Sequence, residues 1–170
     1  GLHGLDQVRD NIKNCLLRHG LVQTISHSLR DTHPLDSPNW QSIGPNNPGS
    51  PEMAFLRTSL WPSLSDAALR NGGRAVHLFE IGRVHGSVNG KVVEGQRVAV
   101  LATGKLNPTF WKNDDSSEAD FYSLKAIVES ICMELCGRYE FDNSLSDPRL
   151  HPTRQAAIVL NGKPIGIFGQ

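Results

Sequence analysis

The stretch from Glu52 to His85 constrains the fold more than any other part of this chain. Ser59 is a residue type that favours a helix N-cap, and Pro62 suits the first turn of a helix, where its missing N–H costs nothing. Apolar and small residues then recur at helical spacing as far as Asn71-Gly72-Gly73, where glycine favours a helix end. The sequence therefore predicts a helix that begins after Ser59 and ends at these glycines.

The ten residues from Val76 to His85 alternate as a strand does. One face carries His77, Phe79 and Ile81, and the other carries Val76, Leu78, Glu80 and Val84. Glu80 stands in apolar company, where an unpaired charge is very costly. We therefore predict that Arg57 forms a buried or half-buried ion pair with Glu80 or Glu52, with direct binding of a ligand as the alternative. A pair with Glu80 would fix the start of the helix onto the strand.

Charge and length limit the classes of function. Lys+Arg and Asp+Glu number 17 each among 170 residues, so the formal net charge is zero. A domain that held RNA mainly by its phosphates would carry a basic excess. No apolar run is long enough to span a bilayer and no signal peptide is visible, which argues against a membrane partner. We expect one domain over residues 1–170, cut from a longer protein because it begins at Gly1 without Met.

Helical and strand patterns flank the central stretch. The predicted helices are Leu5 to His19, which ends at Gly20, and Asp120 to Cys136, which ends at Gly137. The further predicted strands are Leu21 to Leu29, Arg97 to Gly104, Tyr139 to Phe141, Gln155 to Leu160 and Pro164 to Phe168. Tight turns at Asn89-Gly90 and Asn161-Gly162 make neighbouring strands antiparallel. These patterns predict an α+β fold, with a mainly antiparallel sheet flanked by helices.

The segment from Asp31 to Pro51 holds five of the ten prolines, so it cannot form a long helix or an interior strand. We interpret it as a surface loop, with Trp40 and Ile43 expected to hold it against the body of the domain. It is not a linker between domains, because the core pattern resumes after it.

Reactive side chains are few and scattered. Cys15 lies on the apolar face of a predicted helix, so we interpret it as a buried small hydrophobe rather than a nucleophile. Cys132 and Cys136 are four residues apart, but no third or fourth zinc ligand lies at a recognisable spacing. The acidic loop over residues 113–118 lacks the spacing of a calcium site. Reduced thiols in the cytoplasm fit this sparse set of cysteines.

Two histidines are expected to have structural roles. His77 shares a face with Phe79, so we expect a hydrogen-bonded core or interface histidine. His151 precedes Pro152 and is expected to anchor a loop. Neither a phosphate-binding glycine loop nor a Gly-x-Ser-x-Gly nucleophile elbow occurs in the sequence.

An ordered set of short motifs carries a family resemblance along nearly the whole chain. The motifs are Asn47-Pro48-x-Ser50-x-Glu52, Leu56-Arg57-Thr58-Ser59-Leu60, Leu78-Phe79-Glu80-Ile81-Gly82-Arg83-Val84, Ala119-Asp120-Phe121-Tyr122-Ser123-Leu124-Lys125, His151-Pro152-x-Arg154-x-Ala156 and Asn161-Gly162-Lys163-x-Ile165-Gly166. Together they resemble the catalytic-like core domain of the bacterial phenylalanyl-tRNA synthetase β subunit. Two positions depart from the family: Gly49, where an apolar residue is usual, and Gln170, where an acidic residue is usual.

The resemblance implies a class II synthetase-like core without catalysis of its own. In catalytic class II modules, a similar Gly-Arg-Val strand leads to an arginine that clamps the ATP α-phosphate, because negative charge must be stabilised during adenylate formation. Gly86 stands at about that position here. We therefore expect no catalytic and no metal-binding residues in this chain. The structural or interface candidates are Arg57, Thr58, Ser59, Glu80, Arg83, His151 and Arg154.

The resemblance also implies partners. The domain would pack on the catalytic α subunit of a cytoplasmic (αβ)2 ligase that attaches phenylalanine to tRNA(Phe). ATP and Mg²⁺ would be bound by α, and tRNA mainly by other domains. Two alternatives belong to other classes of protein: a free-standing regulatory module that binds an amino acid or nucleotide, and an active class II ligase.

Overall fold

A computed structural model describes residues 2–72, 74–106, 117–135 and 138–170. The chain divides into two compact units, a central unit of residues 22–101 and a terminal unit of residues 1–21 and 102–170. The described helices are α1 (Leu2–Arg18), α2 (Trp61–Arg70) and α3 (Phe121–Glu134), with a 3₁₀ turn at Pro51–Met53. The strands are β1 (Val22–Gln23), β2 (Leu29–Arg30), β3 (Phe55–Leu56), β4 (Val76–Val88), β5 (Lys91–Thr103), β6 (Tyr139–Asp142), β7 (Gln155–Leu160) and β8 (Lys163–Gly169).

The main sheet of the central unit has the strand order β1-β4-β5. β4 and β5 are joined by the predicted turn, in which Asn89 and Gly90 both have positive φ. Strands joined by so tight a turn run antiparallel. β1 instead pairs with β4 in parallel, with Val22 opposite Leu78. β2 and β3 form a separate antiparallel pair.

Three predicted boundaries are wrong in the central unit. The predicted strand from Leu21 to Leu29 is broken into β1 and β2, because residues 24–28 leave the strand ladder and Ser26 bonds the Glu80 carboxylate instead. β5 begins six residues before the predicted Arg97. The N-cap of α2 is Leu60, not Ser59, although the Ser59 hydroxyl still accepts a bond of 3.2 Å from the Trp61 N–H.

The core of the central unit lies between α2 and one face of the β4–β5 hairpin. Its buried members are Leu60, Leu64, Val84 and Ala99, and the partly buried residues packed on them are Trp40, Trp61, Leu78 and Leu101. α2 supplies its apolar side to this core and ends at Asn71, where Gly72 adopts a positive φ as predicted. The adjacent Gly73 lies outside the described residues.

The terminal unit packs α3 on an antiparallel sheet of order β6-β7-β8. Val128, Cys132, Ala156 and Phe168 form a buried cluster between α3 and this sheet. Asp120 caps α3 as predicted, and the Asp120 and Ser123 side chains each bond the other residue's backbone N–H in a capping box. Trp111, Cys136, Gly137 and most of the predicted acidic loop lie outside the described residues.

The described chain is therefore α+β, with three helices and three sheets. Within the described residues, no helix has the length and apolar character needed to cross a membrane.

Candidate functional site

A buried ion pair joins the start of α2 to strand β4. Arg57 Nη1 lies 2.6 Å from Glu80 Oε1, and the two side chains are only 5% and 2% exposed. The structure confirms the predicted pairing of Arg57 with Glu80. Glu52, the alternative partner, is exposed, and a hydrogen bond from Ser50 lowers its pKa.

The same two side chains also fasten the segment between β1 and β2. The Ser26 hydroxyl donates to Glu80 Oε2 at 2.7 Å and accepts from Arg57 Nη1 at 2.8 Å. Arg57 Nε donates to the Arg83 carbonyl at 2.8 Å, and Arg57 Nη2 fills the space where Gly82 lacks a side chain. Since the guanidinium is buried among these protein groups, it is a structural cation rather than one that faces a ligand.

Thr58 extends this network into the loop that precedes it. Its buried hydroxyl donates to Asp36 Oδ1 at 3.2 Å and accepts from the Ser37 N–H at 2.9 Å. Asp36 also accepts a bond of 2.7 Å from the His33 N–H. The loop is thus held near its start, at Asp36 and Ser37, by a residue of the motif, a contact that the sequence did not reveal.

Trp40 packs on Gly86, the residue at which the sequence predicts the arginine clamp to be missing. A Cβ built at Gly86 would lie 2.9 Å from Trp40 Cβ and 3.1 Å from its ring atom Cε3. Gln41 and Ser87 exchange two backbone hydrogen bonds of 2.9 Å, which hold Trp40 against the strand. The guanidinium of Arg97 lies 5.5 Å from the centroid of the Trp40 ring, within the range of a cation–π contact.

The neighbouring basic residues Arg83 and His85 lie on the other face of β4. Arg83 is exposed, and its odd position on β4 puts it on the face opposite to Gly86. His85 shares the Arg83 face, with its Nδ1 3.7 Å from Glu94 Oε2. The arrangement on the Gly86 face is therefore an aromatic side chain packed on a bare backbone, with the Arg97 guanidinium within cation–π distance of the ring.

His151 and Arg154 belong to the terminal unit, in the turn before β7. The His151 N–H donates to the Gln170 carbonyl at 2.5 Å, and the Gln170 N–H donates back to the Arg154 carbonyl at 3.0 Å. The His151 ring accepts a bond of 3.3 Å from the Thr153 N–H. Both side chains are exposed, and the backbone contacts tie this turn to the end of the chain, so the loop-anchoring role of His151 stays a prediction.

A second buried polar cluster supports this turn and was missed at the sequence level. Arg149 pairs with Asp147, and the Arg149 guanidinium holds the pKa of the Asp147 carboxyl below its usual value. Gln155, itself buried, accepts from the Asp147 N–H at 2.7 Å and donates to the His151 carbonyl at 3.2 Å. The spacing of these residues carries no motif, because their contacts depend on how the loop folds back.

The remaining reactive residues are placed as follows. Cys15 and Cys132 are buried, as predicted for Cys15, and burial raises the pKa of both thiols. His77 Nε2 is buried without a hydrogen-bond partner among the described residues. The expectation of a hydrogen-bonded core or interface histidine is therefore not met at that nitrogen within the described residues, and an interface role stays a prediction. Across the described ranges, no three His, Cys, Asp or Glu residues are grouped as metal ligands.

Comparison with known families and proteins gives consistent matches. The family described as "Phenylalanyl tRNA synthetase beta chain CLM domain" matches residues 1–170. Curated relatives named phenylalanine–tRNA ligase beta subunit include those of Symbiobacterium thermophilum (35% identical over 96% of the chain), Staphylococcus epidermidis (36% over 94%) and Geobacillus kaustophilus (33% over 100%). The chain spans 20%, 21% and 22% of the lengths of these relatives, so it corresponds to about a fifth of each.

Among solved structures, the chain resembles a pyrrolysyl tRNA synthetase, PylSc of Desulfitobacterium hafniense. The TM-score is 0.61 with 17% sequence identity, and the match covers 94% of this chain and 54% of the other. At this identity the likeness establishes a shared fold and nothing about activity.

Proposed function

This chain belongs to the family of the phenylalanyl tRNA synthetase β-chain CLM domain, and from that premise we propose that it is a non-catalytic part of a phenylalanine–tRNA ligase. Its role is to support a catalytic α subunit in the attachment of phenylalanine to tRNA(Phe). We further propose that residues 1–170 form a single class II synthetase-like core domain with a mainly antiparallel sheet. The pairs β2–β3, β6–β7 and β7–β8 are antiparallel and only β1–β4 among the pairs named here is parallel, which supports that topology.

The observation that carries the non-catalytic role is the filled position at Gly86. An adenylating site must place a cation where negative charge develops on the phosphate, in a space open to the nucleotide. At Gly86 there is no side chain charge, and Trp40 with the Gln41 carbonyl occupies the space where a side chain would extend. Arg57 cannot serve instead, because Glu80, Ser26 and the Arg83 carbonyl already hold its guanidinium.

Because Trp40 occupies the space at Gly86, the structure also disfavours a free-standing module that binds an amino acid or nucleotide on this face. A ligand there would have to displace Trp40 together with the two backbone bonds between Gln41 and Ser87. An active ligase is disfavoured for the reason given above. The whole enzyme would then bind ATP and Mg²⁺ in its α subunit, contact tRNA mainly through other domains and act in the cytoplasm.

In this proposal, the candidate residues either fix the shape of the domain or contact its partner. Arg57, Thr58, Ser59 and Glu80 fix the start of α2 on β4, and so define the surface that the domain presents. Arg83, His151 and Arg154 are exposed, so their side chains are available to a partner. We propose these three as the interface candidates and the first four as their structural support.

Co-expression with the α subunit tests this function. The chain and an affinity-tagged α subunit of the same organism would be produced together, and the complex isolated through the tag. We expect this chain to co-purify, and Glu80→Gln to reduce recovery because it disturbs the shape of the domain. Arg138→Gln, at an exposed residue outside the candidate set, is the control and should leave recovery unchanged. Failure of a folded chain to associate with α at micromolar concentrations would refute the proposed support role.

A further inference from the structure

The Trp40 ring occupies a slot built from two strands of the sheet. Gly86 of β4 forms the floor at the base and edge of the side chain, since a Cβ at Gly86 would lie 2.9 Å from Trp40 Cβ and 3.1 Å from the ring atom Cε3. Trp40 also packs on the buried apolar cluster of the central unit. Arg97 of β5 forms the roof, with its guanidinium 5.5 Å from the ring centroid. Gly95 makes room for that roof, because a Cβ there would lie 2.7 Å from Arg97 Nη1. The guanidinium is further held by a bond of 2.9 Å from Nη1 to the Gln96 carbonyl.

A bare backbone floor and a facing guanidinium are suited to one class of ligand, a flat aromatic ring. The floor permits close contact with one side or edge of a ring, and the cation attracts its electron-rich face. We propose that this slot is a latent binding site for flat aromatic rings, and that the chain's own Trp40 occupies it as a built-in ligand. The inference goes beyond support of an α subunit and does not depend on that role.

The segment that delivers Trp40 is fastened on both sides of the ring. Before it, the Ser37 N–H and the Asp36 carboxylate bond the buried Thr58 hydroxyl. After it, Gln41 exchanges two backbone bonds with Ser87. Such tethering keeps the ring at an effective concentration of about millimolar or higher relative to its slot. A free aromatic compound at lower concentration therefore does not compete, and the slot stays closed in the intact chain.

Removal of the side chain should open the slot to a free ring. Trp40→Gly deletes the indole but leaves the floor at Gly86 and the roof at Arg97. The probe is 3-methylindole, which reproduces the lost side chain as a separate molecule. Binding would be measured by calorimetry and by the melting temperature of the 170-residue chain as the probe concentration rises.

We expect saturable binding to Trp40→Gly, one probe per chain, and a melting temperature that increases with the logarithm of probe concentration. The unmodified chain should show neither effect. Adding Arg97→Gln to Trp40→Gly should weaken probe binding by about two- to tenfold, the range expected for loss of a cation–π contact. Phe168→Ala is the matched control, because it removes a buried aromatic ring from the core of the terminal unit, a cluster that does not include Trp40.

The proposal is overturned if folded Trp40→Gly does not bind the probe, or if Phe168→Ala binds it as tightly. If Trp40→Gly binds the probe with equal affinity whether or not it also carries Arg97→Gln, Arg97 does not contribute to the slot and the proposal is overturned in that part. Where Trp40→Gly fails to fold, Trp40→Ala is measured in its place. Where both fail, saturating 3-methylindole should restore the far-ultraviolet circular dichroism of the native chain, and failure to do so counts against the slot.

Discussion

Replacement of Glu80 by glutamine should destabilise the chain strongly, because it leaves the Arg57 charge buried without its counter-ion. The two side chains are 5% and 2% exposed, and Arg57 Nη1 lies 2.6 Å from Glu80 Oε1. Breaking a buried pair from one side typically costs about 3–5 kcal/mol. For a chain of this size each kcal/mol corresponds to about 2–4 °C, so the melting temperature should fall by about 6–20 °C.

The cost is expected near the upper part of that range for two reasons. Glu80 also accepts bonds from the Ser26 hydroxyl and the Ser26 N–H, and a glutamine amide can satisfy only part of this set. The second reason is position, since the pair links the segment before β2, the start of α2 and the middle of β4. Loss of the carboxylate therefore loosens three segments of the central unit together.

A double-mutant cycle separates a coupled pair from two independent residues. Glu80→Gln, Arg57→Ala and the double variant would be unfolded in urea, and their free energies of unfolding compared. The double variant should lose less than the sum of the single losses, with a coupling energy of about 1–3 kcal/mol.

Arg18 and Glu134 provide a matched control for burial. Their N···O distance is also 2.6 Å, but the side chains are 64% and 29% exposed. Exposed pairs contribute about 0–1 kcal/mol, so the cycle of Arg18→Ala and Glu134→Gln should show much weaker coupling. Additive losses at Arg57 and Glu80, or coupling no larger than that of the exposed pair, would refute the argument.

Three further predictions follow from other parts of the molecule. The isolated chain should not form phenylalanyl adenylate, and robust ATP–pyrophosphate exchange that is abolished by Arg83→Ala would contradict the filled clamp position. Its binding to tRNA should be weak and unspecific because its formal net charge is zero, whereas tRNA-selective binding below about 1 μM at physiological salt would contradict this. Asp147→Asn should lower stability by about 1–3 kcal/mol at pH 7. Arg149 lowers the folded-state pKa of Asp147, so the unmodified carboxyl contributes fully above the unfolded pKa of about 3.9 and loses that contribution as pH falls through the folded value. The difference between the two chains, followed by melting temperature from pH 7 to pH 3, should therefore shrink below about pH 4, and a constant difference would show that the charge is not involved.

Local signals in the sequence were sufficient for several elements of the fold. Asn89-Gly90 and Asn161-Gly162 form the predicted turns, with both asparagines at φ 51°. Asp120 caps α3, because its side chain needs only backbone N–H groups three residues away or fewer. These features depend on neighbours along the chain, so the sequence alone specifies them.

The pairing of Arg57 with Glu80 was also predictable, although the residues lie 23 positions apart. The prediction depended on a general cost, since an acid on an apolar strand face must find a cation or a set of donors. That reasoning could not identify Ser26 as a third member, because a serine carries no charge that demands a partner. The same omission led to a continuous predicted strand across residues 21–29, where the structure has a break.

The contacts of Trp40 were decided only by tertiary structure. The sequence marked the segment from Asp31 to Pro51 as a loop and expected Trp40 to hold it down, but it gave no contact partner. A large ring can pack on any apolar surface, and the choice of Gly86 depends on a strand with open space at that point and on Arg97 from the next strand. From the sequence, Gly86 shows only that a charge is missing. The fold shows in addition that the space at Gly86 is occupied. Packing brings Trp40 against Gly86 and Arg97, which lie 46 and 57 positions further along the chain. Nothing in the local sequence around any of these three residues requires the other two.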